Sequence, residues 1–233
     1  MHRARLARLR ELLRGLNLPQ SGLLVDLGCS DGFVISELRR RGDLSSAWCA
    51  AGYDVDRRLL GAARCRNLAD VSFRWIDLND AGAHVVQPGD LVICLETLEH
   101  VGNYRQALLV LHRSVRPAGW IVLSMPNEVG LVGLVKFLAR PLLRRQAYGD
   151  FFTRTRDVMS YTVAVATRGD LERFRAPPRT IWSPHLGFDH RQVVHHIRRT
   201  FVDTGLWEVE GQRRSALGAN RFLVVRRVDD SCP

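Results

Sequence analysis

Read from the amino end, apolar residues first recur at helical spacing. Leu6, Leu9, Leu12 and Leu13 share one face over residues 3–15, arginines occupy the rest, and Gly15 and Pro19 close the segment. The period then changes. "GLLVDLG" is a short continuous apolar run ended by Asp and Gly, which predicts a buried strand followed by a tight turn. "DGFVISELRRRG" returns to helical spacing, with its start near Asp31 and a C-terminal cap at Gly42. The alternation repeats with "WCAAGYDVD" as a second strand, "RRLLGAARCRN" as a helix, and "VSFRWIDL" and "GDLVICLE" as third and fourth strands. "NYRQALLVLHRSVRP" reads as a helix capped by Asn103 and stopped before Pro117, and "GWIVLSMP" as a fifth strand.

Strand and helix taking turns in this way call for a parallel sheet covered by helices on both faces, with right-handed crossovers. The rhythm breaks after Pro126. Residues 127–185 hold "GLVGLVKFLARPLLRR", a polar, aromatic-flecked stretch, and "RAPPRTIWSPH"; Pro141 is expected to kink or divide any helix there. Regular structure resumes with a helix over "DHRQVVHHIRRTFVDTG" and two strands, "LWEVEGQ" and "NRFLVVRRV". The expectation is an α/β fold: a doubly wound, Rossmann-like sheet of seven mostly parallel strands with a cap insertion after strand five. Residues 1–233 form one domain, with an N-terminal helix in 1–19 and the insertion in 127–185, a length one such core accommodates.

Charge changes this picture little. Lys and Arg outnumber Asp and Glu by 34 to 24, for a net charge of +10, a field that attracts phosphate or acidic headgroups. Lys136 is the only lysine, so the excess is arginine, a bias that coding composition produces by itself. No interleaved basic and aromatic motif accompanies it, so nucleic acid is not an expected partner. Cys29, Cys49, Cys65, Cys94 and Cys232 are dispersed without a C-x-x-C pair, which argues against a disulfide framework or zinc site and suits a reducing compartment. Cys49 and Cys94 lie in apolar runs and read as small buried residues. The basic start is interrupted by charge too often for a signal-peptide core, and no apolar run is long enough to span a bilayer, so a cytoplasmic location is expected.

The candidate chemistry begins at Gly28-Cys29-Ser30-Asp31-Gly32, a literal G-x-S-x-G. A nucleophile elbow follows several strands, because an earlier loop must supply part of its oxyanion hole. Here the motif follows the first strand with only a basic helix upstream, which disfavours a hydrolase. A ligand-binding loop fits instead, since open α/β sheets bind beyond the carboxyl ends of their strands where strand order reverses. The dinucleotide fingerprint is incomplete, because Ser30 takes the place of its second glycine and Val34 follows Phe33 without a third. Acids then stand at successive strand ends. Asp26 closes the first strand, Asp54 the second, where a carboxylate accepts both ribose hydroxyls, and Asp77 the third, beside Leu78. The fourth ends in "CLETLEH". Together they outline a nucleoside-shaped trough.

With "VDLGCSDG", "GYDVD", "FRWIDL", "DLVICLETLEHV", "LHRSVRPAGWIVLSMPN" and "TGLWEVE" in this order, the chain resembles the class I S-adenosylmethionine-dependent methyltransferases. The likeness covers residues 20–126 and about 185–211, and is nearest to the small-molecule group typified by ubiquinone-biosynthesis methyltransferases. It implies S-adenosyl-L-methionine as cofactor and S-adenosyl-L-homocysteine as product. It implies that Gly28, Cys29, Ser30 and Gly32 line the methionine moiety and that Asp26 meets its amino group. Asp54 would hold the ribose, Val55 and Leu78 the adenine, Asp77 the adenine amine, and the Cys94–Leu95 backbone the methionine amine. Ser30 departs from the family's middle glycine; positive φ there costs a serine on the order of 1 kcal/mol.

His100, just past the fourth strand, is the candidate base, its pKa class suiting proton removal from an acceptor. Glu96, Glu99 and His100 also spell an E-x-x-E-H that binds a divalent metal in some methyltransferases, with His185 as a further ligand; no metal is the favoured expectation. His195 and His196 read as solvated or core residues, and Trp182 near Pro184 as a loop aromatic that packs. "GLVGLVKFLARPLLRRQAY" joins an apolar face to a basic end. It is read as a lid over a partly apolar acceptor, with peripheral contact with an anionic membrane as its alternative. The expected partner is a small-molecule methyl acceptor. An RNA or protein methyltransferase and a non-catalytic adenosyl-binding protein are the competing readings, and oligomeric state stays open.

Overall fold

A computed structural model describes residues 2–144, 155–175, 187–214 and 218–229. In chain order the elements are α1 (His2–Arg14), β1 (Gly22–Leu27), α2 (Phe33–Arg40), β2 (Trp48–Asp54), α3 (Arg57–Arg64), β3 (Val71–Trp75), β4 (Gly89–Leu95), α4 (Tyr104–Ser114) and β5 (Val115–Pro126). There follow α5 (Gly130–Arg144), α6 (Thr155–Thr167), α7 (His190–Ile197), β6 (Trp207–Arg214) and β7 (Asn220–Arg227). The seven strands form one sheet in the order β3-β2-β1-β4-β5-β7-β6. β1 to β5 pair in parallel, and β7 lies antiparallel between β5 and β6.

Period-two alternation divides the sheet's side chains between two cores. Leu24, Ala50, Leu91, Ile93 and Val122 face Leu6, Leu9 and Leu13 of α1, Ile35 and Leu38 of α2, and Leu60 of α3. Val25, Tyr53, Val92, Cys94 and Leu123 face the opposite layer, made by Leu108 and Leu111 of α4 and Val193 and Ile197 of α7. α2 ends as its sequence predicts. Gly42 takes φ 67, its N–H donates to Arg39 O at 3.0 Å, and Asp43 N–H donates to Leu38 O at 3.0 Å, which satisfies carbonyls the helix leaves over. Asn103 caps α4 by accepting from Gln106 N–H at 3.2 Å. α7 passes into one π-helical turn, Arg198–Val202, whose Phe201 stacks on Trp207 with centroids 4.1 Å apart.

Four sequence expectations change. α2 begins at Phe33 with Gly32 as N-cap, later than Asp31, because Gly32 sits in the left-handed region that α-helix excludes. β5 starts at Val115 instead of Gly119, since Val115 still pairs with Gly89 across an irregular step. Cys49 is exposed, not buried: it lies near the start of β2, before the stretch where Ala51 and Tyr53 on the same face are covered. α5 is not divided at Pro141 but continues to Arg144, so the lost N–H bond does not end the helix.

The chain between β5 and α7 builds its own small core. Val129 and Phe137 pack with Tyr161, Ala164, Val165 and Leu171, joining α5 to α6. Lys136 Nζ fastens α5 to the sheet by donating to Asn127 O at 3.2 Å and Ala219 O at 2.8 Å. Arg175 fastens the other end by donating to Leu98 O at 3.0 Å and Val101 O at 2.6 Å, in the segment after β4. Among the described residues, no helix is long and apolar enough to cross a membrane.

Candidate functional site

β1 and β4 are neighbours, so strand order reverses between them, the point beyond whose carboxyl ends open α/β sheets bind their ligands. The loop after β1 lies at this point, and its sequence suits the backbone it adopts. Gly28 has φ 85, and a Cβ there would stand 2.1 Å from Thr97 Oγ1, so close approach as well as conformation demands glycine. Gly28 N–H and Cys29 N–H both donate to Tyr53 O, at 2.8 and 3.0 Å. Ser30 has φ 53, and its N–H donates to Asp54 Oδ2 at 2.8 Å. Gly32 has φ 74. Beyond them, Arg66 Nε donates to Asp31 O at 2.6 Å, tying the far end of the loop to the chain after α3. The positive φ that the serine was expected to tolerate is present.

This geometry does not make Ser30 a nucleophile. Its side chain is exposed and, among the described residues, meets no histidine or other base. Neither buried thiol is activated: burial, followed by the charge of Asp26 for Cys29, pushes the pKa of Cys29 and Cys94 up.

The acids at the strand ends are not equivalent. Asp26 is buried at 2% exposure, and its Oδ2 has no hydrogen-bond partner. Burial, reinforced by the charge of Asp54 and opposed by Arg5, raises its pKa to about 8, so the carboxyl is mostly protonated at neutral pH. Asp54 is half-buried and pins two backbone groups, accepting Ser30 N–H on Oδ2 and Asp56 N–H on Oδ1 at 2.9 Å. Each oxygen keeps acceptor capacity for a further donor. Asp77 stands two residues past β3, and its Oδ1 accepts both the backbone N–H and the side-chain amide of Asn79 at 2.9 Å. Leu78 beside it is buried. Val55 follows Asp54, and its carbonyl accepts from Trp75 Nε1 at 3.1 Å.

β4 lies on the other side of β1 from β2. Cys94 and Leu95 are buried at its end. Glu96 has φ 54, a left-handed turn held by its N–H donating to Ser124 O at 3.0 Å and by Ser124 Oγ donating to Glu96 Oε1 at 2.9 Å. Arg5 of α1 lies 3.8 Å from Glu96 Oε2. Glu99 is fully buried, and its pKa is raised by burial first and the charge of Glu96 second. His100 is half-buried, with its N–H donating to Thr97 O at 2.9 Å. Among the described residues no group of three or more His, Cys, Asp and Glu side chains converges as a metal would require. His185 and Trp182 lie outside the described residues.

The structure therefore places Asp26, Gly28, Cys29, Ser30 and Asp54 at the adjoining carboxyl ends of β1 and β2. Val55, Asp77 and Leu78 lie towards β3, and Cys94, Leu95 and His100 at the end of β4 and just past it. Sequence reasoning missed Thr97, whose hydroxyl donates to Leu27 O and Leu95 O at 3.3 Å and sets the space left for Gly28. It also missed Arg5, a cation acting on both Asp26 and Glu96. Nothing in the sequence separates either from an ordinary cap or a surface arginine.

A doubly wound sheet with a glycine-opened loop at its reversal point and acids at successive strand ends defines a Rossmann-like α/β protein. The Methyltransferase domain model matches residues 1–179, and the chain belongs to that family, in the class I S-adenosylmethionine-dependent group. It is 30% identical over 108 residues to the ubiquinone biosynthesis O-methyltransferase of Pseudomonas aeruginosa (strain LESB58), a match spanning 45% of this chain and 44% of that one. The corresponding protein of Chromobacterium violaceum is 26% identical over the same length, with the same coverage. The match thus spans less than half the length of these curated relatives. A crystal structure of a SAM-dependent methyltransferase from Aquifex aeolicus superposes with a TM-score of 0.57 at 13% identity, covering 95% of this chain and 93% of that one. An S-adenosylmethionine-dependent methyltransferase from Mesorhizobium loti gives 0.57 at 16% identity, covering 93% and 96%. At these identities the likeness is one of fold.

Proposed function

We propose that this chain binds S-adenosyl-L-methionine across the carboxyl ends of β1 to β4 and transfers its methyl group to a small, partly apolar acceptor, leaving S-adenosyl-L-homocysteine. The observation that carries this reading is the pairing of Asp26, a buried carboxyl with an unpartnered oxygen, with the loop that positive φ opens at Gly28, Ser30 and Gly32. An orphaned acceptor buried beside a backbone cradle is what an amine-bearing, chain-like ligand end would satisfy. The residues present therefore fit the cofactor. When bound, it supplies a methyl group already activated on a sulfonium.

What remains for the chain is positioning, exclusion of water and handling of one proton. Asp26 would accept from the amino group on its unpartnered oxygen. Asp54 would hold the ribose hydroxyls with the acceptor capacity its two backbone bonds leave free. Leu78 and Val55 would flank the adenine, and Asp77 would accept from its amine. Cys29, Gly28, Ser30, Gly32 and the backbone of Cys94 and Leu95 would line the methionine part. His100 would take the acceptor's proton. The segment 127–185, tied by Arg175 to the chain just after β4, would cover the acceptor. The O-methyl chemistry in the names of the relatives makes a hydroxyl the first acceptor atom to test.

Calorimetric titration with S-adenosyl-L-homocysteine tests the binding half; no heat of binding overturns it. For the chemical half, His100→Gln is expected to lower kcat by about 10²–10⁴-fold with homocysteine-product affinity unchanged. Labelled methyl donor supplied with fractionated cell extract identifies the acceptor class. Label entering RNA or protein instead of small molecules would overturn the small-molecule reading.

A further inference from the structure

Past β5 the carboxyl edge of the sheet continues into a concavity. Because β7 runs antiparallel between β5 and β6, the end of β5, the start of β7 and the end of β6 all meet there. A cavity of about 520 Å³ opens between these ends and the starts of α5 and α7. Its charged lining is Arg168, Arg191, Arg214 and Arg221, with His190 beside them and no acid among the lining residues.

One of the four arginines is accounted for by the fold. Arg191 closes on Asp189 with bonds of 2.6, 3.0 and 3.1 Å and donates to Arg168 O at 2.9 Å, bracing the start of α7. Among the described residues no carboxylate pairs with Arg168, Arg214 or Arg221. Arg221 Nε is buried without a hydrogen-bond partner. His190 is 5% exposed, and its Nδ1 is buried and unpartnered. Burial, with Arg221, Arg191 and Lys136 acting against the charge of Asp189, lowers the His190 pKa to about 4, so it presents a neutral imidazole. Arg221 is itself held below the usual arginine range by burial first and by Arg214 and Arg168 second.

Arg168 and Arg214 are exposed and Arg221 is half-buried. Three like charges lining one acid-free space repel one another, and that repulsion is strongest at the half-buried Arg221, where solvent screens least. An anion bound between them removes it and gives the buried donors partners, and guanidinium forks match phosphate and carboxylate oxygens. The rim has a different character. Leu131 lines the cavity at 76% exposure, and Val135 and Leu138 extend the same face of α5 at 58% each. A cationic lining beside an apolar rim suits an amphiphile with an anionic end.

We propose that this cavity is a subsite for an anionic group, phosphate-like or carboxylate, of a ligand whose apolar remainder lies along α5. The cavity shares a sheet edge with the cofactor site, and the ligand is the methyl acceptor; that assignment rests on the methyltransferase reading, whereas affinity for the anion does not. The anion is either part of a soluble metabolite or a lipid headgroup.

The test compares wild type with Arg168→Gln/Arg221→Gln, and with Arg41→Gln/Arg58→Gln as a charge-matched control on exposed arginines. Inorganic phosphate, titrated against chloride at equal ionic strength, is expected to raise the melting temperature of wild type and of the control. The cavity variant should lose the effect or need about tenfold more phosphate. No phosphate response in wild type, or equal loss in the control, overturns the site. Arg168→Lys/Arg221→Lys keeps the charge and should keep part of the response, which separates anion binding from misfolding. S-adenosyl-L-homocysteine affinity should be equal in all variants. If that ligand fails to bind anywhere while phosphate binds, the methyltransferase reading falls and the anion site stands. Phosphatidylcholine vesicles with and without phosphatidylglycerol separate the sources. Sedimentation that needs the anionic lipid, is lost in the cavity variant and is reversed by phosphate assigns a headgroup. A phosphate response without sedimentation assigns a soluble acceptor.

Discussion

Ser30 offers the sharpest test of how the loop after β1 works. Its φ of 53 is a conformation that costs an L-residue about 1–2 kcal/mol and glycine little. Ser30→Gly removes that cost but enlarges the freedom of the unfolded chain, which takes back about 0.4–1 kcal/mol. The one bond this residue makes to Asp54 uses its backbone N–H at 2.8 Å, and the substitution preserves it. A net gain of about 0.5–1 kcal/mol follows, and for a chain of this size each kcal/mol moves the melting point by about 2–4 °C. Ser30→Gly should therefore melt about 1–4 °C higher than wild type. Ser30→Ala keeps the Cβ, loses a hydroxyl that bonds to none of the described residues, and should melt within about 1 °C of wild type. Differential scanning calorimetry of the three proteins decides. A lower melting point for the glycine variant, or an equal rise for both, would refute the argument that backbone strain is the operative term. Product affinity of the alanine variant reports separately whether the hydroxyl touches ligand.

Three further outcomes follow from the same site. Asp26 has a folded-state pKa near 8 against an ordinary 3.8, so between those values the folded protein holds a proton that the unfolded chain has released. Its contribution is greatest below the lower value and falls as pH rises towards the upper. Asp26→Asn should flatten that decline in urea midpoints measured across the window, and an unchanged slope would exclude Asp26 as its source. Gly28→Ala must place a Cβ 2.1 Å from Thr97 Oγ1 in a positive-φ position, and a loss above about 2 kcal/mol is expected. Thr97→Ala should recover part of it in a double-mutant cycle, and purely additive effects would disprove the clash. Asp54→Asn puts an amide donor against one of two backbone donors, costing about 1–2 kcal/mol of stability, and should weaken product binding at least tenfold or so. Full affinity in a folded variant would remove Asp54 from the ribose site.

The alternating half of the fold was legible because its period changes are abrupt. Runs such as "LLVDLG" and "LVICLE" are continuous in parallel strands buried on both faces, and the intervening helices carry clear stripes. α6 was not legible. "TRDVMSYTVAVAT" is rich in β-branched residues with weak helix preference, and its buried positions Tyr161, Ala164 and Val165 are set by packing on Phe137 and Val129. The acids at the strand ends stood out because their places follow from topology. The fate of each carboxylate oxygen did not, since Ser30, Asp56 and Asn79 reach them only in three dimensions. The arginine-lined cavity was hidden for the same reason: Arg168, Arg214 and Arg221 come from separate elements in a chain full of arginine.

The position of β7 has a consequence for how the molecule is made. β5 is an apolar strand, and one of its edges is completed only when residues 220–227 pair with it, after all of α5, α6, α7 and β6 has been synthesised. Throughout translation "WIVLSM" therefore presents open N–H and C=O groups to any other extended chain. Long-range pairings of this kind close slowly, and edges left open meanwhile are prone to aggregate. Substitutions in β7 should thus reduce soluble yield well before they alter any property of the protein that does fold.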